Sequence, residues 1–147
     1  MELILWRHAD AELGKPDGER RLTEKGQKQA ARMAKWLSAR LPEDCVVMAS
    51  PAVRAQQTAL ALTKDFKTVP GLDTSGSAQE LLRACGWPRG AAVVAVGHQP
   101  TIGEVAALLL TGAPAPWAVR KGAIVWFSLR GAEASPRLRA WISPDLL

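Results

Sequence analysis

The sequence predicts an α/β fold: a three-layer α/β/α sandwich with a mostly parallel central sheet and helices on both faces, in a single domain of residues 1–147. Two observations carry this reading. Short apolar runs alternate along the chain with segments of helical periodicity. The strongest runs, Leu3-Ile4-Leu5-Trp6 and Ala91 to Val96, are apolar at every position rather than at every second one. A strand of that kind is buried on both faces, as in a parallel sheet with helices above and below. With 147 residues, 48% of them apolar and 22% charged, the chain can close a core without disulfides or metals.

Taken in order, Glu2–Arg7 reads as the first strand. Residues 10–22 form a polar, turn-rich loop carrying Gly14, Pro16, Asp17 and Gly18. Thr23 is placed to cap a helix that runs to about Arg40, ahead of Pro42. Ala30, Met33, Ala34, Leu37 and Leu41 form its core stripe, and Lys25, Lys28, Arg32 and Lys35 the opposite, basic stripe, which reads as a solvated face with a binding surface for an acidic partner as the alternative. Cys45–Ala49 is the second strand. Ser50-Pro51 then offers a cap and a first-turn proline for a helix to about Phe66. Lys67–Val69 reads as a short third strand, residues 78–85 as a short helix, and Ala91–Val96 as the central strand. A turn at residues 97–101 leads into a helix ending near Leu110. After the turn cluster Gly112–Pro116, Ile124–Leu129 and Leu138–Ile142 close the sheet as an edge hairpin.

Composition excludes several classes. Cys45 and Cys85 lie in apolar stretches and make no disulfide framework, so a reduced, cytoplasmic protein is expected. The apolar region 91–111 is interrupted by His98, Gln99, Pro100 and Glu104, and the N-terminal run is too short for a signal peptide, so no membrane association is expected. Nineteen basic against fourteen acidic residues give a net charge of +5, which suits an anionic partner. The six tryptophans are scattered and read as packing rather than as a base-stacking platform, so no nucleic acid is expected. A monomer is expected.

In an open α/β sheet the ligand site lies outside the carboxyl ends of the strands. Those ends carry Arg7-His8, Ser50 to Arg54, and Gly97-His98, and the two histidines of the chain both fall among them. Two guanidiniums and two imidazoles in one mouth describe an oxyanion site, with phosphate the natural anion. Arg54 lies in the first turn of its helix, where the N-terminal dipole adds to the field. Arginine forks can neutralise a phosphoryl group, and a neutral His8 can attack it. Rival chemistries fit less well. No Cys-x5-Arg, Walker or dinucleotide motif and no nucleophile elbow is present. His8, Asp10, Glu12 and His98 remain open as a divalent-metal set.

Four segments then resemble one family. Leu5-Trp6-Arg7-His8-Ala9-Asp10, Arg20-Arg21-Leu22-Thr23, Ser50-Pro51-Ala52-Val53-Arg54 through Ala59, and Val96-Gly97-His98-Gln99-Pro100-Thr101 stand in the order and register of the histidine phosphatase (phosphoglycerate mutase-like) superfamily. More narrowly, the chain is similar to the small bacterial SixA-type phosphohistidine phosphatases. That resemblance implies a phosphoglycerate mutase-like fold in which His8 is transiently phosphorylated and Arg7, Arg54 and His98 hold the phosphoryl group. Arg20, Gln99 and Ser50 are implied as substrate-binding residues, with no metal and no cofactor. The implied substrate is a phosphohistidine-carrying protein of a phosphotransfer or phosphorelay system. A small-molecule phosphomonoesterase, or a phosphate-binding module without turnover, is the alternative.

The chain departs from the family pattern at three points. Ala9 replaces the signature glycine, Arg21 stands where proline is common, and Gly71 occupies the place of the glutamate that protonates the leaving group in many members. The acid is therefore absent or supplied by another group such as Asp73. An alkoxide needs that proton, whereas an imidazole is a far better leaving group, which favours phosphohistidine over a phosphate ester. Only 38 residues run from Arg54 to Ala91, too few for inserted lid helices, so an open pocket is expected.

Overall fold

The computed structural model describes residues 1–147. Six strands, β1 (Glu2–Arg7), β2 (Val46–Ala49), β3 (Lys67–Thr68), β4 (Val93–Gly97), β5 (Ile124–Ser128) and β6 (Arg137–Ile142), form one sheet in the order β3-β2-β4-β1-β5-β6. The first four neighbours run parallel, and β5 and β6 add the antiparallel edge hairpin. Four α-helices, α1 (Glu24–Ser38), α2 (Val53–Leu62), α3 (Ala78–Ala84) and α4 (Thr101–Thr111), cover the two faces.

Strand β1 shows why there are three layers. Successive side chains of a strand point to opposite faces. Leu3 and Leu5 enter a core shared with Leu81 of α3 and Ile102 and Val105 of α4, while Ile4 and Trp6 enter a second core with Met33 and Leu37 of α1 and Ala55 and Ala59 of α2. All four β1 side chains are fully buried. Each such burial is worth roughly 1.5–3 kcal/mol. The Trp6 indole donates from Nε1 to the Gly122 carbonyl at 3.0 Å, so its one polar atom is satisfied inside the core.

The element order is the expected one, and the boundaries differ for local reasons. Thr23 caps α1 as anticipated, its hydroxyl accepting from the Gly26 N–H at 3.0 Å, but the helix ends at Ser38 and Arg40 lies in the following turn. Helix α2 starts at Val53 with Ala52, not Ser50, at the cap. The Ser50 hydroxyl accepts instead from the Ala52 N–H, two residues on, at 3.2 Å. The same helix stops at Leu62 rather than near Phe66. There Thr63 turns to extended backbone and its hydroxyl accepts from the Asp65 N–H at 3.0 Å, a local bond that competes with the helix. Both cysteines are free thiols, and burial pushes Cys45 up to about 11 and Cys85 to about 12. No helix is long and apolar enough to cross a membrane.

Because β1, β2 and β4 are parallel, their carboxyl ends meet at one edge of the sheet. Backbone bonds fasten the residues just beyond them: His8 N–H donates to the Gly97 carbonyl and Ser50 N–H to the Val96 carbonyl, each at 3.0 Å.

Candidate active site

Arg7 and His8 leave β1 at the centre of that edge. The Arg7 guanidinium donates from Nη1 to the Val119 carbonyl at 2.7 Å, which fixes its direction from the loop before β5. The His8 ring lies with Nδ1 at 2.7 Å from the Ala9 carbonyl. A carbonyl only accepts, so Nδ1 carries the proton and Nε2 keeps its lone pair. Ala9 is fully buried, and its N–H donates to Thr58 Oγ1 at 3.1 Å. No non-glycine residue of the chain has positive φ, so alanine occupies the signature glycine's position without backbone strain.

Arg54 arrives from the first turn of α2 and is almost wholly buried. Its backbone carbonyl accepts from the Thr58 hydroxyl at 2.7 Å, which links it to Ala9 through one side chain. Its Nη1 and Nη2 donate to the carbonyl and carboxylate of Asp17 at 2.8 and 3.0 Å. The other carboxylate oxygen of Asp17 accepts from Arg20 Nε at 3.1 Å, and Arg20 Nη1 donates to the Glu12 carbonyl at 3.2 Å. Asp17 therefore ties Arg20 to Arg54, and the residue 10–22 loop reaches across α2. Between α2 and β4 the chain holds only β3, the Pro70–Leu72 turn and α3.

His98 follows β4, buried, with its ring centroid 5.2 Å from that of His8. Its Nε2 lies 2.7 Å from Ser50 Oγ. Ser50 is itself completely buried, and its hydroxyl lies between the His98 ring and the Ala52 N–H. Gln99 likewise has protein partners. Its amide nitrogen donates to the Trp117 carbonyl at 2.8 Å and its oxygen accepts from the Gly103 N–H at 2.7 Å, so the side chain joins the start of α4 to the residue 112–122 loop.

The electrostatics follow from burial and crowded cations. Desolvation lowers His8 to about 3, helped by His98, Arg54 and Arg7, while the bond to Ala9 opposes it. Desolvation and Arg54 lower His98 to about 4, opposed by the carboxylates of Asp73 and Asp17. Both imidazoles are neutral at physiological pH. Three buried side-chain nitrogens lack a hydrogen-bond partner: Arg7 Nε, Arg54 Nε and His98 Nδ1. Buried polar atoms left unpaired are costly, and all three belong to the residues gathered around His8.

The residues that could supply an acid or hold a metal are placed less centrally. Gly71 lies in a 3₁₀ turn, Pro70–Leu72, and Asp73 closes that turn, its carboxylate accepting from the Thr74 N–H at 2.8 Å. Asp10 faces Lys121 at 2.9 Å and the Thr23 hydroxyl at 2.7 Å. No three His, Cys, Asp or Glu side chains gather where they could hold a metal, so His8, Asp10, Glu12 and His98 do not form the ligand set left open by the sequence.

Sequence reasoning missed Asp17 and Thr58. The segment Gly14-Lys15-Pro16-Asp17-Gly18 carries only turn chemistry, and nothing in it announces a partner 37 residues away. Thr58 stood inside a recognised motif, at i+4 from Arg54.

The fold and this edge define a three-layer α/β protein with an oxyanion centre built of two arginines and two neutral histidines. A model of the histidine phosphatase superfamily (branch 1) matches residues 3–75. Phosphohistidine phosphatase SixA of Escherichia coli strain K12 is 31% identical over 126 residues, which cover 79% of this chain and 78% of that protein. The chain belongs to the histidine phosphatase superfamily. Among solved structures, the protein histidine phosphatase SixA complexed with tungstate gives a TM-score of 0.79 at 25% identity over 99% of each chain. A phosphoserine phosphatase from Entamoeba histolytica gives 0.75 at 21% identity over 99% of this chain and 98% of the other, which shows a shared fold alone.

Proposed function

We propose that this protein is a metal-independent phosphohistidine phosphatase that acts on a protein substrate through a phosphorylated His8. The observation that carries the reading is the gathering of Arg7, Arg54 and His98 around His8, with the two imidazole centroids 5.2 Å apart. The likeness to proteins named as SixA phosphohistidine phosphatases supports the substrate class.

Two displacements balance the reaction. His8 Nε2 attacks phosphorus in line, forming its P–N bond as the substrate's P–N bond breaks, and the departing imidazole takes a proton from solvent. Arg7, Arg54 and His98 hold the oxygens on which charge develops. Water then attacks the phosphohistidine enzyme and releases inorganic phosphate and neutral His8. The guanidiniums supply the charge neutralisation that a metal supplies elsewhere. Burial at His8 keeps the lone pair free down to about pH 3, whereas an ordinary histidine is already half protonated at 6.5.

The test is loss of phosphate from a histidine-phosphorylated protein in excess EDTA, with wild type and His8→Ala. Turnover by the wild type alone, with acid-labile phosphate trapped on the enzyme, is the expected result. Residual turnover by pure His8→Ala would overturn the role of His8, and loss of activity in EDTA would overturn metal independence.

A further inference from the structure

A cationic groove leaves the active site on its α1 side. Arg7, Lys25, Arg120 and Lys121 line one depression of about 390 Å³, and Lys25 continues with Lys28 and Arg32 into an adjoining one of about 440 Å³. Both lie between α1 and the C-terminal turn at Pro144–Leu146, and share Gln29, Pro144 and Asp145. Apart from Pro144, every lining residue is polar or charged. Six cations, with three carboxylates among them, thus run from Arg7 along the basic stripe of α1.

Three carboxylates answer them: Asp10 on Lys121 at 2.9 Å, Glu24 on Lys28 at 3.6 Å, and Asp145 on Arg120 at 3.9 Å. The last two pairs are exposed at both partners, and exposed pairs are worth little, so incoming carboxylates can replace them. Lys25 is in no ion pair, and the Arg32 guanidinium makes one bond, to the Pro144 carbonyl at 3.3 Å.

We propose that this groove is the docking surface for the acidic face of the phosphohistidine-bearing substrate protein. It rests on the substrate reading above and deepens it. Continuity decides the occupant: a surface that begins at Arg7 is filled by whatever carries the phosphoryl group to His8. A lining in which six cations outnumber three carboxylates fits clustered Asp and Glu, and offers no aromatic platform for bases. Charge complementarity of this kind raises the encounter rate and fixes the approach while leaving the chemical step unchanged.

The test pairs two substrates with one variant, Lys28→Glu/Arg32→Glu, whose side chains lie outside the reaction centre. The substrates are an acidic histidine-phosphotransfer domain phosphorylated on its histidine, and free phosphohistidine. For the domain, kcat/KM falls roughly tenfold or more, through KM, and its decline with salt flattens. For free phosphohistidine the variant matches the wild type. Equal kcat/KM of wild type and variant on the domain overturns the docking surface and leaves the catalytic reading standing. So does a parallel loss on both substrates. Inhibition of the wild type by an RNA oligonucleotide, with variant and wild type equal on the domain, would assign the groove to nucleic acid and overturn it likewise. A wild type that releases phosphate from free phosphohistidine but never from the domain overturns the protein-substrate reading together with the docking surface.

Discussion

Asp17 grips Arg54 at two points, its backbone carbonyl on Nη1 at 2.8 Å and its carboxylate on Nη2 at 3.0 Å, while the second carboxylate oxygen holds Arg20. The grip aims a buried guanidinium, yet it also sets a negative charge beside a site built for an anion. Asp17→Asn keeps the carbonyl contact and removes the charge. Phosphate should then bind more tightly, because one repulsion is gone. Turnover should fall by about tenfold to a hundredfold, because small misplacements of a positioning group carry that cost. Steady-state kinetics with inorganic phosphate as inhibitor would show both. Unchanged kcat and unchanged phosphate inhibition would leave Asp17 as a loop anchor only.

The two imidazoles set the acid response of the fold. Each is neutral when folded, His8 down to about 3 and His98 to about 4, whereas an exposed histidine in the unfolded chain binds a proton below 6.5. In that interval the unfolded state holds more protons, so stability rises with pH and falls as pH drops from 6.5. The slope is about 1.4 kcal/mol per pH unit for each histidine. Asp10 and Asp17, held below the ordinary carboxylate value by Lys121 and Arg54, add to this loss only as pH falls into the carboxylate range. Denaturant unfolding between pH 6.5 and 4.5 should therefore lose stability more steeply in the wild type than in His8→Asn. Matching slopes would mean that His8 is not held neutral.

What the sequence made legible depended on how local each cause was. The buried strands announced themselves by unbroken apolar runs, and Arg7, His8, Arg54 and His98 by their places at strand ends. Thr23 capped α1 as expected because a cap is a bond three residues long. Ser50 looked like a cap on the same grounds, but a tertiary partner, His98, sits on its hydroxyl and the helix starts later. Gln99 stands in the His98 motif, and its amide's link between two backbone segments is visible only in the fold. Asp17 could not be read at all, since its role exists only once the residue 10–22 loop lies over α2.

Gly26 shows how closely α1 seats on the chain leaving His8. A Cβ there would stand 1.9 Å from the Asp10 carbonyl oxygen, which itself accepts from the Thr23 N–H at 3.1 Å. Neither partner is a flexible side chain, so Gly26→Ala must push the helix or the His8 segment aside. A loss of about 1–3 kcal/mol is expected, with reduced turnover. Gly18→Ala is the control: a Cβ there meets nothing within 4 Å, and the change should stay within about 0.5 kcal/mol. Chemical denaturation of both decides the matter, and equal stability would show that α1 has room to move.

Gly71 offers the sharpest probe of leaving-group chemistry. The family resemblance puts a proton-donating glutamate at this position, and its loss matters to an alkoxide but little to an imidazole. There is room to restore it. A Cβ at Gly71 would meet Ala84 Cβ at 3.6 Å and the Glu80 carbonyl at 3.8 Å, both ordinary contacts, and its φ is not in the left-handed region. Gly71→Glu should therefore raise kcat/KM on an alkyl phosphomonoester, by up to the roughly 10²-fold lower range of general-acid catalysis. Turnover of phosphohistidine should change far less. The rise should have a pH profile that falls above the carboxyl pKa, as the acid form is lost. Gly71→Gln, which has no proton to give, should show no rise. A gain shared by Gly71→Gln, or equal on both substrates, would mean that the new side chain acts through binding and that protonation is not what this site lacks.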